Sequence, residues 1–90
     1  MISEEDKQTI ASIAEKYQVK RILLFGSSAR NDVVRTRDID LAVEGIQPRY
    51  FFKFYGDLLF NLKKSVDLID LSFESKFNAL VREEGIPIYG

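Results

Sequence analysis

Cysteine and histidine are both missing from these ninety residues. Without cysteine there is no disulfide framework and no thiolate nucleophile; without histidine the commonest general base and zinc ligand is gone. Any chemistry must therefore rest on carboxylates, hydroxyls and a hard metal. No apolar run approaches the ~18 residues that cross a bilayer. The first residues, MISEEDK, are acidic where a signal peptide is basic and then apolar. A cytoplasmic protein is the default expectation, with no membrane partner. A strong excess of one charge is absent too: thirteen basic residues stand against fourteen acids, so no global basic field draws nucleic acid.

What remains is an ordinary globular composition, 46% hydrophobic and 30% charged, which excludes a disordered chain. Ninety residues make one domain, 1–90, that buries only roughly 60–65% of its unfolded surface. Seven Phe and four Tyr are many for that length.

The stretch that organises the rest is RILLFGSSARNDVVRTRDIDLAV, from Arg21 to Val43. Ile22-Leu23-Leu24-Phe25 ended by Gly26 reads as a strand buried on both faces. A second strand returns over Asp38–Val43. Its period-2 alternation puts Asp38, Asp40 and Ala42 on one face and Ile39, Leu41 and Val43 on the other. Ser27 to Asn31 is a candidate short helix whose first N–H groups face the turn. From Lys20 to Arg37 five basic residues (Lys20, Arg21, Arg30, Arg35, Arg37) face one acid, Asp32; this is either a solvated loop or an attractor for a polyanion.

Helices flank this unit. Ser3 followed by Glu4, Glu5 and Asp6 is a helix start, and Ile10, Ile13, Ala14 and Tyr17 recur at helical spacing, giving an amphipathic helix over 4–17. Pro48 suits the first turn of a helix continuing to about Lys64. There Phe51, Phe52, Phe54, Tyr55, Leu58, Leu59 and Leu62 span an arc of roughly 160°, wider than an ordinary surface stripe, which predicts packing against more than one surface. Phe60 falls outside the arc among Arg49, Lys53 and Lys64, as a scattered surface aromatic or part of a partner-binding patch. Gly56 is expected to allow a close approach. Val66–Leu71 alternates as a third strand, Asp67 facing one way and Asp70 the other. A last helix is expected from a Ser72 cap to Glu84, with Phe73, Phe77, Leu80 and Val81 inward and Gly85 as its C′ residue. Pro87 confines Ile86–Tyr89 to an edge strand or a tail.

A glycine at a strand end lets a phosphate approach the backbone, and a serine hydroxyl can hold its oxygens. Paired aspartates on one strand face suit Mg²⁺, which shares its oxygen ligands between carboxylates and substrate phosphates. Asp67 would add a third carboxylate, for a second metal or to take a proton from an attacking hydroxyl. Separately these signals are weak. Together, as Gly26-Ser27, ten residues, then Asp38-x-Asp40 between two strands, they are specific.

That arrangement, G-S-x10-D-x-D, resembles the signature of the DNA polymerase beta-like nucleotidyltransferase superfamily. With LFGSSAR, DIDLAV, VDLIDL and the closing EEGIPIY, the chain is similar to the minimal nucleotidyltransferases (MNT), the antitoxins of HEPN–MNT toxin–antitoxin pairs. The resemblance implies a small α+β fold with a mixed sheet of three to four strands packed by about three helices. It implies that Gly26, Ser27, Ser28 and Arg30 hold ATP, that Asp38 and Asp40 bind two Mg²⁺, and that Asp67 completes the acidic triad. It further implies AMP transfer from ATP to tyrosine hydroxyls of a partner HEPN toxin, in an oligomer or hetero-complex. The chain departs from the usual G-S-R-A-R-G at Ser28 and Asn31, and Arg37 stands where a small polar residue is common. A second reading is a binding module that neutralises its partner by covering it. Transfer to a nucleic acid end or a small hydroxyl compound would call for an additional helical domain, for which ninety residues leave no room.

Overall fold

The computed structural model describes residues 2–26 and 38–90. The order of elements is α1 (Glu4–Lys16), β1 (Arg21–Leu24), β2 (Asp38–Glu44), a 3₁₀ turn (Pro48–Tyr50), α2 (Phe51–Leu62), β3 (Ser65–Asp70), α3 (Lys76–Glu84) and β4 (Ile86–Tyr89). The strands form one mixed sheet in the order β3-β2-β1-β4. β1 is antiparallel to both β2 and β4, while β2 and β3 run parallel with α2 as the crossover between them. This is the expected α+β architecture, and Ile86–Tyr89 is an edge strand rather than a tail.

Ser3 caps α1, its hydroxyl accepting from the Asp6 N–H at 3.1 Å, and the acids of the first turn suit the positive end of the helix dipole. α1 and α2 cover one face of the sheet. Ile10, Ile13 and Ala14 of α1, Phe54, Leu58 and Leu62 of α2, and Ile22, Leu24, Ile39, Leu41, Val43 and Val66 from the strands form this main core. Each large side chain among them contributes about 1.5–3 kcal/mol by leaving water. Two polar contacts fasten the helices above it: Asp57 accepts from Tyr17 Oη at 2.7 Å and pairs with Lys16 Nζ at 3.1 Å.

Among the described residues, the other face is covered only by α3. Leu23, Ala42, Leu71 and Val81 are buried there, with Phe25 and Ile69 against them. Gly85 permits the close fit, since a Cβ at that position would lie 2.6 Å from the Val81 carbonyl oxygen and 3.2 Å from Leu23. It does so with extended backbone, φ −66° and ψ 153°, and not as the left-handed C′ residue expected.

Four further expectations change. α3 begins at Lys76 with Ser75 as its cap, because Ser72 is already held in a turn by Asp70. Its buried side is Asn78 and Val81, while Phe73, Phe77 and Leu80 are 70%, 53% and 50% exposed. Asn78 lies on that side with its Nδ2 donating to the carbonyls of Phe73 (2.6 Å) and Asp70 (3.2 Å), so this polar group is buried with partners. On α2, burial is confined to the Phe54–Leu58–Leu62 line, so the helix packs one way only; Phe52 and Leu59, at one margin of the predicted arc, are exposed. A Cβ at Gly56 would have no atom within 4 Å, so nothing among the described residues approaches that position.

Candidate functional site: a carboxylate face beside a glycine turn

β1 leads its chain out of the sheet at Gly26, whose φ of +61° is a left-handed value that glycine adopts without strain. Phe25 still belongs to the sheet, donating its N–H to the Asp40 carbonyl at 3.1 Å. The turn is thereby set against β2. A Cβ on Gly26 would stand 2.8 Å from Asp40 Oδ2, so this carboxylate lies directly against the glycine backbone and occupies the space a side chain would need.

Along β2, Asp38 is exposed, Asp40 half-buried and Ala42 fully buried, and all three share the face that carries Leu23 and α3. The opposite face holds Ile39, Leu41 and Val43 in the main core. The alternation thus turns a buried apolar strand into one that presents two carboxylates at its open end.

β3 extends that face. Its parallel register with β2 runs without a slip from Asp38↔Ser65 through Asp40↔Asp67 to Val43↔Asp70. Asp67 therefore neighbours Asp40 at about the 4.8 Å spacing of adjacent strands and projects to the same side. Asp70 faces the other way and is spent locally, accepting from the Ser72 N–H at 2.9 Å and from the Ser72 hydroxyl. Among the described residues, no group of three or more carboxylates closes into a metal cage. The donor set nonetheless fits Mg²⁺ chemically: hard oxygens on one open face, for an ion that takes one or two carboxylates and completes its shell with water and substrate phosphates.

Ser27, Ser28 and Arg30, together with the candidate helix 27–31, Arg35 and Arg37, lie outside the described residues. The two remaining members of the basic run do not reach the turn. Arg21 starts β1 about 16 Å of extended chain from Gly26 and is paired with Glu44 Oε1 at 3.0 Å, with Lys20 just before it. The Arg82 guanidinium, followed by Arg21 and Lys20, holds the Glu44 carboxyl below its usual range against a modest opposing effect of burial. These cations serve the fold rather than a phosphate.

A cleft of about 350 Å³ adjoins Gly26 on the same face, walled by Phe25, Phe77, Leu80 and Val81 and bordered by Glu84 and Gly85. Phe25 and Phe77 meet edge to face at 5.8 Å. Sequence reasoning missed this feature because it placed Phe77 and Leu80 in the core. Their half-exposure is what opens an apolar approach to the turn.

A mixed four-stranded sheet with a glycine turn at one strand end and aspartates beside it is the frame of a small nucleotidyltransferase domain. Residues 8–90 match the family model for polymerase beta nucleotidyltransferases, and the chain belongs to that family. One relative in Methanocaldococcus jannaschii, named "Putative protein adenylyltransferase MJ0126", is 40% identical over 63 residues, covering 63% of this chain and 61% of its own length. Another of the same description and organism is 29% identical over 94 residues, covering 92% and 93%. The chain thus spans about three-fifths of the length of the first of these. Among solved structures, a toxin–antitoxin complex with AMP-PNP superposes with a TM-score of 0.76 at 26% identity, covering 93% of this chain and 73% of that one. The tri-AMPylated Shewanella oneidensis HEPN toxin in complex with its MNT antitoxin matches at TM-score 0.75 and 23% identity, covering 99% and 73%, and shows the same fold.

Proposed function

We propose that this chain is a single-domain, Mg²⁺-dependent protein adenylyltransferase that acts in the cytoplasm as an antitoxin, moving AMP from ATP to a tyrosine hydroxyl of a HEPN-type partner toxin. The observation that carries this reading is the register that sets Asp67 beside Asp40 on the face where Asp40 touches Gly26. Family membership, the AMP-PNP bound by one structural neighbour and the AMPylated toxin held by another support it.

In this reading the backbone of Gly26, with Ser27, Ser28 and Arg30, cradles the outer phosphates. Asp38 and Asp40 would hold Mg²⁺, with Asp67 on the neighbouring strand able to contribute, and the bound ion would supply charge neutralisation and polarisation at the phosphoryl oxygens. The acceptor oxygen attacks the α-phosphorus, the bond from that phosphorus to the α–β bridging oxygen breaks, and pyrophosphate leaves. Asp67 takes the hydroxyl proton. The residue inventory separates this from kinase chemistry, because Gly26 is followed by Ser27-Ser28-Ala29-Arg30 and lacks the Walker glycines and lysine that engage the γ-phosphate.

The test is to incubate the chain and the protein encoded by the adjoining gene with labelled ATP and Mg²⁺. Label from the α-phosphate should appear on the acceptor, and label from the γ-phosphate should not. The reverse pattern would overturn the assignment. A second reading, neutralisation by covering alone, is favoured by the large aromatics exposed on α2, and tight binding with no label from either position would select it.

A further inference from the structure

The outward side of α2 is apolar where a helix of this size should be polar. Phe52 is 81% exposed, Phe60 80% and Leu59 42%. On a helical projection of ~100° per residue Phe52, Gly56, Leu59 and Phe60 fall within an arc of roughly 100°, well away from the Phe54–Leu58–Leu62 core line, and Lys63 follows as the C-cap. The two phenylalanines alone present roughly 300 Å² of apolar surface, the size at which a patch on a small domain is often functional. At the middle of this strip Gly56 leaves a notch with nothing within 4 Å. A glycine costs a helix about 1 kcal/mol relative to alanine, and no contact within the described chain calls for one here.

Charge identifies the occupant. Asp57, the one acid of α2, is turned to the main core side and taken up by Lys16 and Tyr17, which hold its carboxyl below the usual range. Among the described residues Lys53 and Lys63 beside the strip form no salt bridge, while Lys64 is paired with Asp6. The strip is therefore apolar with a cationic border. We propose that it docks an amphipathic helix of the protein partner, one with acidic flanks, crossing α2 over the Gly56 notch.

This rests on the antitoxin reading and adds where the partner sits. Placement supports it. Lys63 and Lys64 lead directly into Ser65, and Ser65 pairs with Asp38. The C-terminal end of the strip thus borders the end of the sheet where the carboxylates lie, so a partner held there keeps an acceptor residue near Asp67 without covering the open face.

The experiment measures affinity, by sedimentation and calorimetry, for the purified protein encoded by the adjoining gene. Phe52→Ser/Phe60→Ser should bind roughly thirty-fold or more weakly. Gly56→Leu, whose Cβ would have no described atom within 4 Å and whose side chain would fill the notch between Phe52 and Phe60, should weaken binding while holding or raising the melting temperature, so lost affinity cannot be read as lost folding. In both variants the maximal transfer rate at saturating partner should stay unchanged while half-saturation rises. Unaltered affinity in both variants, with wild-type binding intact, overturns this inference and leaves the antitoxin reading standing. No binding by the wild type removes that reading and the inference with it. A wild-type homodimer dissolved by the same substitutions assigns the strip to a second copy and also overturns the proposal.

Discussion

The two faces of the sheet use the same strands for opposite ends. Towards α1 and α2, every side chain that β1 and β2 present is apolar and closed over by two helices. Towards α3, the same strands present Leu23 and Ala42, which among the described residues lie under one nine-residue helix, and then Asp38 and Asp40 further along β2. Among the described residues, one face therefore holds the larger apolar cluster, and the other holds a smaller one beside the carboxylate end. A domain of this size has only one core to spend. Putting nearly all of it on one side is what frees the other for chemistry.

The largest expected effect tests the open face. Asp38→Asn or Asp40→Asn should lower transfer on the order of a thousand-fold or more, because each removes a charge that would hold Mg²⁺, a contribution of several kcal/mol. The circular dichroism spectrum and melting temperature should change little, since neither side chain joins the apolar clusters. Asp67→Asn should cost on the order of 10²–10⁴-fold, the range of a lost general base, whereas Asp70→Asn should leave transfer near wild type. Full activity in either β2 variant would end the metal assignment. Loss in Asp70→Asn instead of Asp67→Asn would contradict the strand register.

The closed face should respond in the reverse sense. Phe54 is fully buried among α1, α2 and the sheet and meets Tyr17 edge to face at 5.6 Å. Phe54→Ala should destabilise by about 3–5 kcal/mol, a large part of what a ninety-residue domain has. Chemical denaturation measures the loss. Below the melting temperature, transfer per folded molecule should persist. Should Phe54→Ala abolish transfer in a chain that is still folded, the two faces are coupled and the division is wrong.

Much of this division could be read from residue order, because period 2 is rigid. Alternation alone placed Asp38, Asp40 and Asp67 on faces that the parallel register now aligns. The Ser3 cap and the Ile10–Ile13–Ala14 line were equally plain. Helix faces were less legible. Over 72–84 the apolar set Phe73, Phe77, Leu80 and Val81 predicts one buried side, yet of these Val81 alone is buried, beside Asn78, whose amide donates to two carbonyls, a pairing that no hydrophobic pattern encodes. In α2 the wide aromatic arc predicts packing against more than one surface, whereas among the described residues it holds a buried line, Phe54–Leu58–Leu62, and an exposed strip. Strand order also escaped, since β4 joins β1 and not β3, a pairing fixed by how α3 crosses the sheet.

The smallest expected effect separates the fastenings of the two faces. Glu44, at the end of β2, accepts from Arg82 of α3 and from Arg21 of β1, and Arg82 also donates to the Leu71 carbonyl. Asp57 fastens α1 to α2. Both carboxyls titrate below their usual values, Glu44 chiefly through Arg82 and Asp57 chiefly through the Tyr17 hydroxyl. A group depressed in the folded state adds stability that is complete above its ordinary pKa and is lost as pH falls through the depressed folded value. Stability should therefore decline as pH falls through and below about 4.5, where an unperturbed glutamate is half protonated. Partly exposed pairs of this kind contribute about 0–1 kcal/mol, so the melting temperature should fall by no more than roughly 8 °C from the Glu44 contacts. Glu44→Gln should remove the Glu44 part of that pH dependence and, at neutral pH, speed amide hydrogen exchange in α3 while leaving α1 and α2 protected. Acceleration spread equally over all three helices would mean that Glu44 braces the whole domain, and that the open face is no more loosely held than the closed one.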